Sequence, residues 1–167
     1  IGHCEERKNL AEIMEKGQGK SVRGIHEILN QEILCAQQAG LDVLYCIGEQ
    51  ADQSACWQEV LRTQLEEGLQ GVDLEKVVIG YEPLWAIGPG RPVPTQEDIR
   101  KVARFSKSIV ACPIVYGGGL KEENAQMIAS IPEMDGGLIA LTRFQGDIGF
   151  YPDEYLRIVQ RYFEGRK

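Results

Sequence analysis

A carboxylate set just after a short β-branched run is the first group in this sequence placed to do chemistry. Val77-Val78-Ile79 is long enough for a buried strand and too short for a helix. Glu82 follows it in Gly80-Tyr81-Glu82-Pro83-Leu84-Trp85-Ala86-Ile87-Gly88-Pro89-Gly90. A carboxylate at the C-terminal end of a strand, beside an apolar loop punctuated by Gly and Pro, suits a general base under a loop that closes and excludes water. Trp85 adds to that reading, because a large apolar ring in a loop needs a surface to pack on once the loop closes. The competing reading is a surface Glu in an ordinary hydrophobic turn, and the segment by itself leaves both open.

Other groups carry less on their own. His3 has acidic and basic neighbours in Ile1-Gly2-His3-Cys4-Glu5-Glu6-Arg7, and His26 falls within a helical pattern as a surface or partly packed residue. Gly117-Gly118-Gly119 offers bare backbone N–H groups to a phosphate, or simply makes a tight turn. Cys46 has no base beside it in sequence and reads as a packing residue. Asp147 and Asp153 read as caps of the last helix. Neither G-x-G-x-x-G nor G-x-x-x-x-G-K-[ST] occurs, so the common nucleotide fingerprints are absent.

The elements that must position these groups alternate between short β-rich runs and amphipathic stretches. The spacing predicts helices over Ser21 to Ala39, Ser54 to Leu69 and Lys121 to Ile131, one opened by Thr95 as N-cap, and a closing helix from Tyr151 to about Phe163. Strands are expected at Leu41 to Ile47, Val77 to Ile79, Ile109 to Tyr116 and Gly137 to Leu141. Such alternation means an α/β fold with a parallel sheet covered by helices. Polar or Gly-rich residues follow every strand: Gly48-Glu49, Glu82, Gly117 to Gly119 and Thr142-Arg143. Both an open doubly wound sheet and a closed barrel fit, and four such strand ends favour the barrel. No linker or low-complexity tract divides residues 1–167, which read as a single domain.

Composition narrows the partners. A net charge of -7 and a pI near 4.9 argue against nonspecific nucleic-acid binding and against anionic membranes. Five scattered cysteines, none in C-x-x-C spacing, give no metal motif and no disulfide framework, and they fit a reducing cytoplasm. No apolar run is long enough for a bilayer, and no signal-peptide pattern opens the chain. Ile1 in place of Met reads as an internal start.

Taken in order, the segments resemble the triose-phosphate isomerase family. Ile1-Gly2-His3-Cys4-Glu5-Glu6-Arg7 is similar to its I-G-H-S-E-R-R after the fourth strand, and Tyr45-Cys46-Ile47-Gly48-Glu49 to its C-I-G-E after the fifth. Tyr81 to Gly90 resembles Y-E-P-V-W-A-I-G-T-G after the sixth, and Val115 to Gly119 resembles V-Y-G-G-S after the seventh. Asp135 to Ile139 is similar to the D-G-F-L-V of the eighth. The resemblance implies a (β/α)8 barrel and interconversion of glyceraldehyde 3-phosphate and dihydroxyacetone phosphate through an enediol(ate). It gives Glu82 the role of base and His3 that of neutral electrophile. Gly88, Gly119, Ala140 and Leu141 take the phosphate-contact positions, with Glu5 as a supporting carboxylate near His3. It implies no cofactor or metal, a phosphorylated sugar as substrate and a homodimeric parent protein.

The departures sharpen those expectations. A barrel of this kind takes about 250 residues, and the resemblance starts at the end of strand four. Strands one to three, the family's active-site Lys and its long third loop fall outside it. The chain is therefore expected to be a C-terminal, incomplete barrel, inactive or nearly so by itself. Cys4 stands for the family's Ser, Glu6 for its first Arg, Gly119 for a Ser, and Ala140-Leu141 for a Gly-Gly pair. Pro89 and Pro92 stiffen the loop. Arg143 either supplies a charge-assisted phosphate contact or is a solvated surface residue. A related ketose such as a tetrulose phosphate, and a protein without turnover, stay open as alternatives.

Overall fold

A computed structural model describes residues 1–17, 23–87, 91–143 and 146–166. Four parallel strands, β1 (Val43–Ile47), β2 (Val77–Tyr81), β3 (Ile114–Tyr116) and β4 (Gly136–Gly137), lie side by side in chain order. Cys46 sits opposite Gly80, Tyr81 opposite Tyr116, and Tyr116 opposite Gly137. Helices α1 (Cys4–Lys16) and α2 (Arg23–Gln38) precede β1. Helices α3 (Trp57–Gly68), α4 (Gln96–Ile109) and α5 (Glu122–Ala129) make the crossovers, and α6 (Pro152–Gly165) closes the described chain. Crossovers that step the same way with the usual right hand put their helices on one face of the sheet.

The burial pattern agrees. Val43, Tyr45, Ile47, Val77, Ile79, Tyr81, Ile114 and Tyr116 are buried among Leu29 and Ile33 of α2, Leu61 and Leu65 of α3, Ile99 and Val102 of α4, and Ile128 of α5. The alternate residues Leu44, Val78 and Val115 are only half-buried on the opposite face. Ile1 lies along the outer edge of β1, its carbonyl accepting from Cys46 N at 2.8 Å and its nitrogen donating to Leu44 O at 2.9 Å.

Several boundaries differ from expectation for physical reasons. The continuous apolar run Ile109 to Tyr116 divides into two elements. Ile109 ends α4, Val110 N still bonds Ser106 O, and ladder pairing begins only at Ile114, after Pro113, which has no N–H. The last strand pairs at Gly136–Gly137 and, through Leu138 N to Tyr116 O at 2.8 Å, no further than Leu138. α3 begins at Trp57, later than Ser54, because Ala51–Gln53 forms a short 3-10 turn. α1 has no counterpart among the expected elements: it buries none of its residues fully and leans Leu10, Ala11 and Met14 on the core. Thr95 caps α4 as expected, in a reciprocal box with Asp98. Asp147 and Asp153 do not cap α6: Tyr151 is its N-cap residue, Pro152 its first residue, and Asp153 lies in the first turn. The expected start at Ser21 lies outside the described residues. Among those described, no helix is long and apolar enough to cross a membrane.

Candidate active site

All strands end toward one rim, and the close contact of β1 and β2 there places Glu82. Glu82 N donates to Ile47 O at 2.8 Å, and Gly117 N donates to Tyr81 O at 2.7 Å, so the residue is held between its two neighbours. Gln64 of α3 fixes the end of β1, donating to Gly48 O at 2.8 Å and accepting from Gly48 N at 2.9 Å. Glu82 is thereby 5% exposed, with its carboxylate 3.2 Å (Oε1) from His3 Nε2.

His3 is the N-cap residue of α1, and its Nδ1 accepts from Glu5 N at 3.5 Å. An Nδ1 that accepts leaves the proton on Nε2, the ring nitrogen that lies 3.2 Å from Glu82 Oε1. The imidazole is 53% exposed, which leaves it reachable by a small molecule. Burial raises the Glu82 carboxyl above the ordinary carboxylate range, against the opposing pull of His3, the Cys4 backbone N–H, Arg7 and the Cys46 thiol. A carboxylate held this way is a stronger base than a solvated one.

Cys46 is buried, and burial together with the Glu82 charge pushes its thiol up to about 12. It is a protonated packing group that donates to Glu82, not a nucleophile. Arg7 ties the entry of α1 to β1: Nε donates to Gly2 O at 2.7 Å, and one terminal nitrogen donates to Cys46 O at 2.8 Å and Tyr45 Oη at 3.1 Å. Its neighbour His26 is buried, a correction to the surface reading, and burial with the Arg7 charge depresses it to about 4. Sequence reasoning gave Arg7 and Gln64 no role, and both act through partners distant in the chain.

Glu49 lies beneath the loop that follows Glu82. Its Oε1 accepts from Trp85 Nε1 at 2.7 Å and Tyr81 Oη at 3.0 Å, and burial raises its carboxyl. Leu84 N also donates to Glu49 O at 3.2 Å, so the 3-10 turn Leu84–Ala86 is anchored at the root of the loop. Glu49 holds the loop and does not face His3. Glu49→Gln keeps an acceptor for Trp85 and removes no reacting group, so turnover of the full-length protein is expected to fall no more than about tenfold, measured as kcat.

A cavity of about 1270 Å³ runs along the rim and the half-buried sheet face. His3, Glu82, Gly119, Ala140 and Leu141 all line it. Gly119 has φ +87°, a left-handed conformation suited to glycine in place of a larger residue. Gly88 lies outside the described residues. The Glu5 side chain is exposed, and Glu5 meets His3 through its backbone N–H. Arg143 is paired with Glu154 and stacks at 4.0 Å on the Tyr151 ring, so its charge is already matched within the protein.

A buried carboxylate of raised basicity thus lies beside an imidazole over a cavity at the C-terminal ends of parallel strands, in a chain of the α/β class, an arrangement with the groups needed to move a proton. Comparison with known proteins makes the class specific. The family model for triosephosphate isomerase matches residues 1–150, and the chain belongs to that family. It is 36% identical over 165 residues to the triosephosphate isomerase of Geobacter metallireducens, covering 88% of this chain and 59% of that protein. It is similar at 33% over 163 residues to a Synechococcus triosephosphate isomerase, covering 95% and 58%. The Francisella tularensis triosephosphate isomerase is 40% identical over 153 residues, covering 83% and 55%. The chain thus spans under three fifths of the length of these curated relatives.

Proposed function

We propose that the protein carrying this chain interconverts glyceraldehyde 3-phosphate and dihydroxyacetone phosphate, an aldose–ketose isomerisation with no cofactor. The observation that carries the reading is the 3.2 Å approach of His3 Nε2 to Glu82 Oε1 at the cavity wall. A substrate inserted there presents a C–H bond to the carboxylate and the adjacent carbonyl oxygen to the imidazole N–H. Glu82 takes the proton from carbon, the C–H electrons become the enediol double bond, and the carbonyl oxygen gathers charge opposite Nε2–H. Returning the proton to the neighbouring carbon completes the exchange. The backbones of Gly88, Gly119, Ala140 and Leu141 hold the phosphate, which needs N–H donors more than net positive charge. Glu5 supports His3 from the first turn of α1.

In this reading residues 1–167 are one partial domain, the larger share of an eight-stranded barrel. The sequential strand order, the helices on one face and the half-buried Leu44, Val78 and Val115 on the other support it. The relatives' extra length would supply the remaining strands, together with the family's active-site Lys. The 167 residues by themselves are then inactive, and the whole protein is a cytoplasmic homodimer that binds neither nucleic acid nor membrane.

A second reading, isomerisation of a tetrulose phosphate, is favoured by the Ala140 and Leu141 side chains that line the cavity. Assay of the full-length protein with triose and tetrulose phosphates separates the two. Triose turnover at least about tenfold faster in kcat/KM is the expected result. Turnover of neither would leave a binding protein without catalysis and overturn the proposal.

A further inference from the structure

His26 has no part in the proton transfer proposed above, yet it is joined to His3 through one residue. Arg7 reaches the carbonyls on either side of the His3 Cα: its backbone N–H donates to His3 O at 3.0 Å, and its Nε donates to Gly2 O at 2.7 Å. The guanidinium is held in turn by two other elements. From β1, Cys46 O at 2.8 Å and Tyr45 Oη at 3.1 Å accept from Nη2. From α2, His26 Nδ1 stands 3.3 Å from Nη1. Arginine only donates, so that contact is a hydrogen bond where Nδ1 carries a lone pair. His26 meets the condition. It is 7% exposed, and burial with the Arg7 charge depresses it to about 4, so near pH 7 the ring is neutral with its proton on Nε2.

These ties matter because α1 buries none of its residues fully, and packing alone holds it weakly. A guanidinium is planar and rigid, so acceptors on its three nitrogens fix both its plane and its rotation within that plane. Here the three nitrogens go to three segments: Nε to the residue before His3, Nη2 to β1, and Nη1 to α2, whose Ile25, Leu29 and Ile33 lie in the core. We propose that His26 is a positioning residue for His3: as a neutral acceptor on α2 it orients the Arg7 guanidinium, and Arg7 holds His3 beside Glu82 through Gly2 O and His3 O. The effect on turnover rests on the isomerase reading; the effect on the His3 ring rests on the geometry alone.

The test uses the full-length protein and variants that differ in where an acceptor stands. His26→Asn sets its Oδ1 near the place of Nδ1, whereas His26→Gln carries its amide out to the place of Nε2. His26→Asn is expected to keep kcat within about threefold of the parent and His26→Gln to lose roughly tenfold, with KM little changed in either. Arg7→Lys removes the fork, and adding His26→Gln to it is expected to cost no further turnover, because the two residues act as one unit. The second readout needs no turnover. The ¹⁵N shifts of the His3 ring are expected to move in His26→Gln and in Arg7→Lys and to stay at parent values in His26→Asn. Equal losses in the Asn and Gln variants, losses that multiply in the double variant, or His3 shifts unmoved in His26→Gln overturn the proposal. A parent that isomerises no triose phosphate but shows this pattern of shifts defeats the isomerase reading and leaves the positioning role of His26 standing.

Discussion

Glu82→Gln in the full-length protein is expected to lower isomerisation by about 10³-fold, the range over which a positioned general base acts. The loss should fall on kcat with KM little changed, because the amide keeps the shape of the side chain and removes only its proton affinity. Glu82→Asp is expected to cost about 10²-fold by drawing the carboxylate back from the substrate while leaving its chemistry intact. The same substitution has an opposite effect on stability. Glu82 binds its proton more tightly in the folded protein, so its contribution to stability is full below the ordinary value of 4.5 and is lost as pH rises through the raised value. Gln carries no such dependence. Glu82→Gln is therefore expected to melt at a higher temperature than the parent near pH 7, with the gap closing below about pH 4.5. Thermal melts at the two pH values check the sign. A variant no more stable at pH 7 would mean the carboxylate is not held against its solvation, and with that the argument for a strengthened base would fall.

Glu82 was legible in the sequence as a candidate base because its signal is local: a β-branched run, a carboxylate, then an apolar loop, a pattern that by itself suits a surface Glu equally well. Its partner was not. Nothing in the residues around His3 marks it as lying beside Glu82, and in the sequence only the resemblance joins the two. The geometry depends on α1, whose weakly apolar face gave no periodic signal, and on Arg7, whose bonds reach Cys46 and Tyr45 in another element. Apolar runs misplaced the strand boundaries for a related reason. Ile109, Val110 and Ile114 all pack on the core, so a helix end and a strand start read as one segment. Arg143 shows the limit for charged residues: its pairing with Glu154, on the following helix, is a tertiary fact that composition does not carry.

Gly48→Ala is expected to be the most damaging single methyl group in the scaffold of the site. A Cβ at Gly48 would stand 1.9 Å from the Glu82 carbonyl oxygen and 2.9 Å from its carbonyl carbon. Both are backbone atoms, so no side chain can turn aside. Relief requires the ends of β1 and β2 to part, which strains the Glu82 N to Ile47 O bond and the Gln64 clamp on Gly48. A loss of about 4 kcal/mol is expected from denaturant melts of the full-length protein, near the top of the range for a single substitution. Whatever remains folded should lose a further 10²-fold or so in kcat, since a displacement of about 1 Å at the base is enough for that. Gly40→Ala is the control. Gly40 has φ +83° with nothing within 4 Å of an added Cβ, so only backbone strain of about 1–2 kcal/mol is expected and the site stays intact. If Gly48→Ala proved as mild as Gly40→Ala, the close approach of the two strand ends would not be what holds Glu82. With the expected contrast, the absence of one side chain just after β1 becomes the condition for placing the Glu82 carboxylate just after β2.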